Sequence, residues 1–309
     1  MKIGFLTTHL GLFGSIRELL EISNRLVAWH HDVTIYFDQV NFPVRHWMPI
    51  NAKLSLNDNL PKMDALILMD SPFDYHMTEF RNCDSKFKTF VMMGFDHERF
   101  SLEDLKGNAV DRNLKEILMN YEVCADGQWQ LDYFKELGIC TGVPIGGINI
   151  QQFNNTNSKR NIDVGYSGDR RPRKGTGTIL SALERITWKH DYYWTKGDQK
   201  FIVEFLNRTK IFVDNHLRAG WCNPVLEAMA CGCAVICNDI PAVKDFAINN
   251  KTAFVLSDNS VRDFVDAINL LMNNDKLREY LSEQAQEKAK EFDYDIVARK
   301  FEEYLLSKL

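Results

Sequence analysis

Arg170-Arg171-Pro172-Arg173-Lys174 places four cations within five positions, directly after an apolar run that ends at Ser167. Arginine and lysine beside phosphate oxygens stabilise the charge that develops as a phosphate leaving group departs. A short charge run is also the mark of a solvated turn, so the run needs a second feature beside it. Gly220-Trp221-Cys222-Asn223-Pro224-Val225-Leu226-Glu227-Ala228-Met229-Ala230-Cys231-Gly232 supplies one. Asn223 is a good N-cap and Pro224 a good first helical residue. The loop before them then brings backbone N–H groups to the positive end of a helix, a site suited to phosphate or diphosphate. Glu227 lies one turn in, on an otherwise apolar helix. Its carboxylate can accept hydrogen bonds from two vicinal hydroxyls, such as those of a ribose; a surface glutamate on a capped core helix is the competing reading.

The elements that must position these residues alternate between strand and helix. Lys2 to Thr7 reads as a strand, followed by a glycine-containing loop, Gly11 to Gly14. Ser15 and Glu18 form a capping-box pattern ahead of a helix whose Ile16, Leu19, Leu20, Leu26 and Val27 share one face. Asp32 to Phe37 is the next strand, which completes a βαβ unit and predicts a parallel sheet. Strands follow at Ala65 to Met69 and Thr89 to Met93, and a helix at Gln128 to Leu137. The Asn-rich stretch Gln151 to Asn161 is the linker candidate, because it can bury little and is rich in turn formers. After it the pattern restarts. Strands are expected at Ile162 to Ser167, Ile211 to Val213 and Ala234 to Cys237, with helices at Thr176 to Arg185 and Pro224 to Ala230. The tail, 260–308, is mostly helical in period.

The 309 residues suit two domains rather than one core. At 45% hydrophobic and 26% charged the composition is that of a soluble globular protein, and a net charge of -5 does not favour bulk nucleic-acid binding. The N-terminal apolar run reads as a buried strand rather than a signal peptide, and no run approaches the length of a transmembrane helix. Seven cysteines scattered through apolar segments read as reduced, buried thiols of a cytoplasmic protein. No metal is assigned to Cys231 and Cys233, and capping explains Asp293-Tyr294-Asp295 better than a metal does. Two doubly wound sheets facing one another form a cleft at the carboxyl ends of their strands, which suits a two-substrate reaction.

The segment from Gly220 to Gly232 resembles the signature of family 4 retaining glycosyltransferases, in which a glycine-containing loop leads into PxLEAMAxG. The resemblance implies the GT-B fold: α/β, with two Rossmann-like doubly wound domains facing an interdomain cleft. It implies an N-terminal acceptor domain over 1–150, a donor domain over 151–291, and a closing helix over 292–309 that crosses back to the first domain. The family glutamate that holds the nucleotide ribose matches Glu227. The family's other glutamate, which helps to hold the donor sugar, falls at Ala219, so the resemblance does not carry the usual hexose contacts over to this position. Gly168 and Lys174-Gly175 match the family's G-R and later K-G, with Asp169 where the arginine is usual; Arg170 or Arg171 substitutes for it. Gly220, Trp221, Cys222 and Asn223 are the remaining donor-loop positions. Gly11 and Gly14 match the loop that faces acceptor or donor phosphate, ahead of a G-H-x-V-T strand in which His31 replaces glycine. Asp126 to Gly138, Gly147-Ile148-Asn149 and Phe292 to Leu306 resemble the helix, crossover and closing helix of the family. Asp96 and His97, after the strand Thr89 to Met93, are the candidates for the first-domain catalytic position. The implied reaction moves a sugar from a UDP-, GDP- or ADP-linked donor to an acceptor with retention. It needs no obligatory metal or other cofactor, and paired glycosidase-like carboxylates are not evident. Arg170, Lys174, Asp96 and His97 are the expected catalytic set.

Two alternatives remain open. A nicotinamide-dependent oxidoreductase would use Gly11, Gly14 and Asp38, though the loop lacks the G-x-G-x-x-G pattern. A degenerate transferase would bind nucleotide or glycan without turnover, as Ala219 and Asp169 suggest. The acceptor stays open among sugar, lipid-linked, protein and nucleobase classes. Phe42, Trp47 and Met48 beside Arg45 and His46 mark a candidate membrane-facing patch, or ordinary loop and core residues.

Overall fold

The protein is described here by a computed structural model covering residues 1–11, 13–38, 48–56, 60–69, 74–93, 111–194 and 199–309. The chain divides into two compact units, Met1–Gly147 with Tyr294–Leu309, and Ile148–Asp293.

The first unit begins with β1 (Lys2–Thr7), α1 (Gly14–Ala28), β2 (Asp32–Phe37), β3 (Lys53–Leu56) and β4 (Met63–Met69). It continues through α2 (Asp74–Asn82), β5 (Ser85–Met92), α3 (Arg112–Asn120), β6 (Glu122–Ala125), α4 (Gln128–Glu136) and β7 (Thr141–Pro144). All pairings are parallel, in the order β3-β2-β1-β4-β5-β6-β7. Period-two alternation feeds two cores. Phe5, Ala65 and Ile67 join Leu19, Leu20 and Leu26 of α1, whereas Leu6, Leu66 and Leu68 join Met77 and Phe80 of α2 and Phe134 of α4.

The second unit has β8 (Ile162–Ser167), a short 3₁₀ turn (Pro172–Lys174), α5 (Thr176–Leu183), β9 (His190–Tyr193), α6 (Gln199–Asn207) and β10 (Thr209–Asp214). Then come α7 (Asn223–Ala230), β11 (Ala234–Asn238), β12 (Phe254–Leu256), α8 (Val261–Met272) and α9 (Asp275–Lys290). Its parallel sheet runs β12-β11-β10-β8-β9, the other common doubly wound order. Phe212, Val235 and Cys237 face a core with α6 and α7, and Ile211, Val213 and Ile236 face one with α5 and α8.

The last helix, α10 (Tyr294–Leu306), belongs to the first unit, where Val297, Ala298, Phe301 and Leu305 enter the α1 core. Tyr304 donates to Glu122 at 2.9 Å, and Asp295 accepts from Arg25 of α1 at 2.6 Å.

Two local expectations change. Ser15 does not cap α1: the helix starts at Gly14, with Phe13 in the extended N-cap position and no side-chain cap. Ser15 therefore lies inside the first turn, and Glu18 is buried on the core side. The Asn-rich stretch is anchored to the second unit rather than loose. Phe153 is buried, the Thr156 backbone and hydroxyl both donate to Asn207, and the Arg160 guanidinium donates to the carbonyls of Leu206, Thr209 and Cys231. Asn207 and Arg160 thus supply side-chain partners for backbone that would otherwise be unsatisfied.

Candidate functional site

From β8 the chain goes first to β9 on one side and then to β10 on the other. The carboxyl ends of β8 and β10 are therefore the switch point of the second sheet, where doubly wound folds bind ligands. The basic run leaves β8 and the loop that leads to α7 leaves β10, so the two segments singled out in the sequence begin at this one place.

The two loops are tied together. The Leu217 backbone donates to the Arg173 carbonyl at 2.8 Å, and the Asn215 amide donates to the Gly175 carbonyl at 3.0 Å. Asn238, at the end of β11, donates to Asn215 and to the His216 carbonyl. Gly175 has φ +58°, and a Cβ there would lie 2.1 Å from the Asn215 carbonyl oxygen. Only glycine allows both the left-handed backbone and this approach.

Lys174 closes the 3₁₀ turn and meets the Nε2 of His216. The His216 Nδ1 faces both carboxylate oxygens of Asp214, at 2.7 and 2.8 Å, and its backbone N–H donates to the same group at 3.0 Å. The Cys222 thiol donates to Asp214 at 3.6 Å. Asp214, His216 and Cys222 are all buried. Burial pulls the Lys174 ammonium below the usual lysine range, against the pull of Cys222 and Asp214. Burial works to raise the Asp214 carboxyl, yet the hydrogen bonds from the His216 ring and backbone, together with the nearby Lys174 charge, hold it below its ordinary value. Burial pushes the Cys222 thiol well up, so it stays protonated and donates.

The arginines behave differently. Arg170 is exposed. Arg171 lies against Asp169, its Nε 3.0 and 2.9 Å from the two carboxylate oxygens, and its backbone N–H donates to the same group at 3.1 Å. Burial would raise the Asp169 carboxyl, but these bonds hold it down at about 2. Asp169, in the place where the resemblance expects an arginine, thus aims Arg171.

On the other loop, α7 starts one residue earlier than expected. Cys222 takes the N-cap position without a side-chain cap, and Asn223 is the first helical residue, with Pro224 next. Asn223 therefore does not cap; the Cys222 side chain is directed to Asp214 instead. Gly220 is buried, and Trp221 packs edge-on to Phe246 and tilted to Phe292. Glu227 is 5% exposed. Ala219 is half-buried against the same core. The helix ends in a Schellman turn: Gly232 at φ +75° donates to Met229, and Cys233 donates to Ala228.

In the first unit, Gly11 and Gly14 follow the carboxyl end of β1, which borders β2 on one side and β4 on the other. The Gly11 N–H donates to His9 Nδ1 at 3.1 Å, and Gly14 is the first residue of α1. Asp96 and His97 lie outside the described residues, as do Phe42, Arg45, His46 and Trp47. Asp38 accepts from buried His76 at 3.1 Å. Among the described residues, Asp214, His216 and Cys222 have ligand atoms within 4.8 Å of one another, as a metal would need. Lys174 meets the same ring from its Nε2 side, so the three residues also form part of a hydrogen-bonded chain. All seven cysteines are free thiols, and Cys140 alone of them is exposed.

Residues 189–288 match the family model for glycosyl transferases group 1. The match runs from β9 through α7 into α9 and so includes the β10 loop, His216 and Glu227. A stretch of 105 residues is 30% identical to the N,N'-diacetylbacillosaminyl-diphospho-undecaprenol alpha-1,3-N-acetylgalactosaminyltransferase of Campylobacter jejuni. It covers 34% of this chain and 28% of that protein's length. Among solved structures, Anabaena HepE in complex with UDP-glucose superposes with a TM-score of 0.80 at 14% identity, covering 99% of this chain and 100% of HepE. Sucrose-phosphate synthase from Thermosynechococcus elongatus gives 0.79 at 12% identity, covering 99% of this chain and 98% of its own. These likenesses show the fold, which is GT-B.

Sequence reasoning missed the Asp214–His216 pair. The signal was present as Asp-x-His at the end of an apolar strand, but the strand expected there stopped at Val213.

Proposed function

We propose that the chain is a retaining, metal-independent glycosyltransferase of the cytoplasm that uses a nucleoside-diphosphate sugar. The observation that carries this reading is the tied pair of loops at the β8/β10 switch point. One loop brings Lys174 and the other leads into the uncapped start of α7, with Glu227 one turn further on. In this reading the diphosphate lies against Lys174 and the first turn of α7, and Glu227 takes the ribose hydroxyls. Arg170 and Arg171 meet the outer phosphate oxygens, and Gly220, Trp221, Cys222 and Asn223 form the wall of the donor site. Stabilising the departing diphosphate and orienting the sugar are the main protein contributions. Gly11, Gly14, Asp96 and His97 serve the acceptor side.

UDP-sugars are the first donors to test, because HepE has been solved with UDP-glucose. Polyprenyl-diphosphate-linked sugars are the first acceptors, from the name of the Campylobacter relative. The test is calorimetry with UDP, GDP and ADP, with and without magnesium. It is followed by product analysis by NMR with the matching nucleotide sugars, where the anomeric coupling reports retention. Selective binding of one diphosphate without magnesium supports the reading, and no binding of any removes it.

Ala219 favours a second reading, nucleotide binding without turnover, because it puts a methyl group where the resemblance expects the sugar-holding carboxylate. Ala219→Glu separates the two: a changed donor profile supports a working donor site, whereas nucleotide binding with no transfer in either form supports the degenerate one. The nicotinamide alternative has less support, since the Asp38 carboxylate it would need for a ribose already bonds His76.

A further inference from the structure

Resting on that reading of the donor site, we propose that His216, itself held by Asp214, is a positioning residue that fixes Lys174 for the nucleotide diphosphate. Asp214 offers only acceptors, so the Nδ1 that faces it at 2.7 Å carries the proton. Nε2 of a neutral ring then carries a lone pair, and Lys174, which has only donors, meets it. The order Asp214, His216, Lys174 is thus a chain of complementary donors and acceptors.

A lysine is a flexible four-carbon stem that loses much rotamer freedom when ordered. Held by His216, it has lost that freedom before a ligand arrives. One of its three N–H donors is used by the ring, which leaves the others for phosphate oxygens. The base of the chain is rigid as well. Asp214 closes β10, His216 has its carbonyl bonded by Asn238, and Cys222 adds a thiol donor to Asp214. Besides His216, the charged and titratable groups with the largest effect on Lys174 are Cys222, Asp214, Arg173 and Arg171. Of these only Asp214 is joined to it through an intervening ring.

The test compares wild type with His216→Asn. Asparagine keeps a donor within reach of Asp214 and drops the Nε2 acceptor that meets Lys174. Calorimetry with UDP, UMP and uridine, with the guanosine and adenosine series run beside them, reads the effect. His216→Asn should lose about tenfold in diphosphate affinity, the scale of one charged hydrogen bond, and leave nucleoside affinity unchanged. In a Lys174→Ala background the same substitution should cost nothing further, because the two act as one unit. Unchanged diphosphate affinity in a folded His216→Asn protein overturns the proposal. So does an equal loss for the bare nucleoside, or full additivity with Lys174→Ala. If wild type itself binds none of the three diphosphates, the transferase reading fails first and this inference fails with it.

Discussion

At the scale of single residues, Glu227 and Asp169 carry charges whose surroundings set what they can do. Glu227 is 5% exposed on a helix whose other buried residues are apolar. If it holds the ribose, Glu227→Ala should weaken nucleotide binding by about 1–3 kcal/mol, the cost of a lost charged partner. Calorimetry checks this, and equal binding would take Glu227 out of the site. Asp169 gives a prediction in pH. Its carboxyl is held at about 2 in the folded protein, below the ordinary value of 3.8. A depressed carboxyl stabilises the fold at pH values above its unfolded value and loses that contribution as pH falls through the folded one. Wild type should therefore exceed Asp169→Asn in stability at pH 5, and the gap should close as the pH approaches 2. Urea denaturation across that range measures it, and a gap independent of pH would mean that the Arg171 contact adds no stability. The Glu227 position was legible in the sequence because one carboxylate interrupts an apolar helical face. The His216 pair was not, because its meaning lies in a contact with Lys174 across 42 positions.

At the scale of elements, the alternation of apolar residues located most strands well. β1, β2 and β8 have the ends that the apolar runs suggest, since each is a buried strand bounded by polar residues. β3, β6, β7, β9 and β12 escaped notice, and for β3 and β9 the reason is the opposite one. Lys53–Leu56 is exposed throughout and His190–Tyr193 buries only its last residue, so neither edge strand carries a period-two signal. Helix starts were harder. Phe13 and Cys222 occupy N-cap positions without being capping residues, so packing of the following turn decided the boundary. The loop between β8 and α5 has its own test. Gly175→Ala would put a methyl 2.1 Å from the Asn215 carbonyl in a left-handed backbone. We expect a loss of about 1–3 kcal/mol in stability, together with weaker diphosphate binding, because Lys174 is the preceding residue. Thermal unfolding and calorimetry on one sample measure both. Lower stability with unchanged binding would show that the loop can rearrange without moving Lys174.

At the scale of the whole molecule, the first unit is discontinuous in sequence: it is built from residues 1–147 and closed by the last sixteen, 294–309. The closing helix is a structural component of that unit rather than a tail. Phe301 is 1% exposed and stacks on Phe5 of β1 with ring centroids 6.5 Å apart. Around it, Glu302 pairs with His31 at 2.6 Å, Arg299 lies over the Trp29 ring, and Tyr304 packs edge-on to Phe87. Its apolar face and the α1 face pack against each other. Phe301→Ala empties a fully buried aromatic site and should cost about 3–5 kcal/mol. Amide hydrogen exchange locates the effect. Protection should fall in β1, α1 and β7 as well as in α10, because these elements share the core that Phe301 fills. If protection falls only in α10, the helix is an appendage that frays by itself, and the first unit must draw its stability from the sheet and α1 alone.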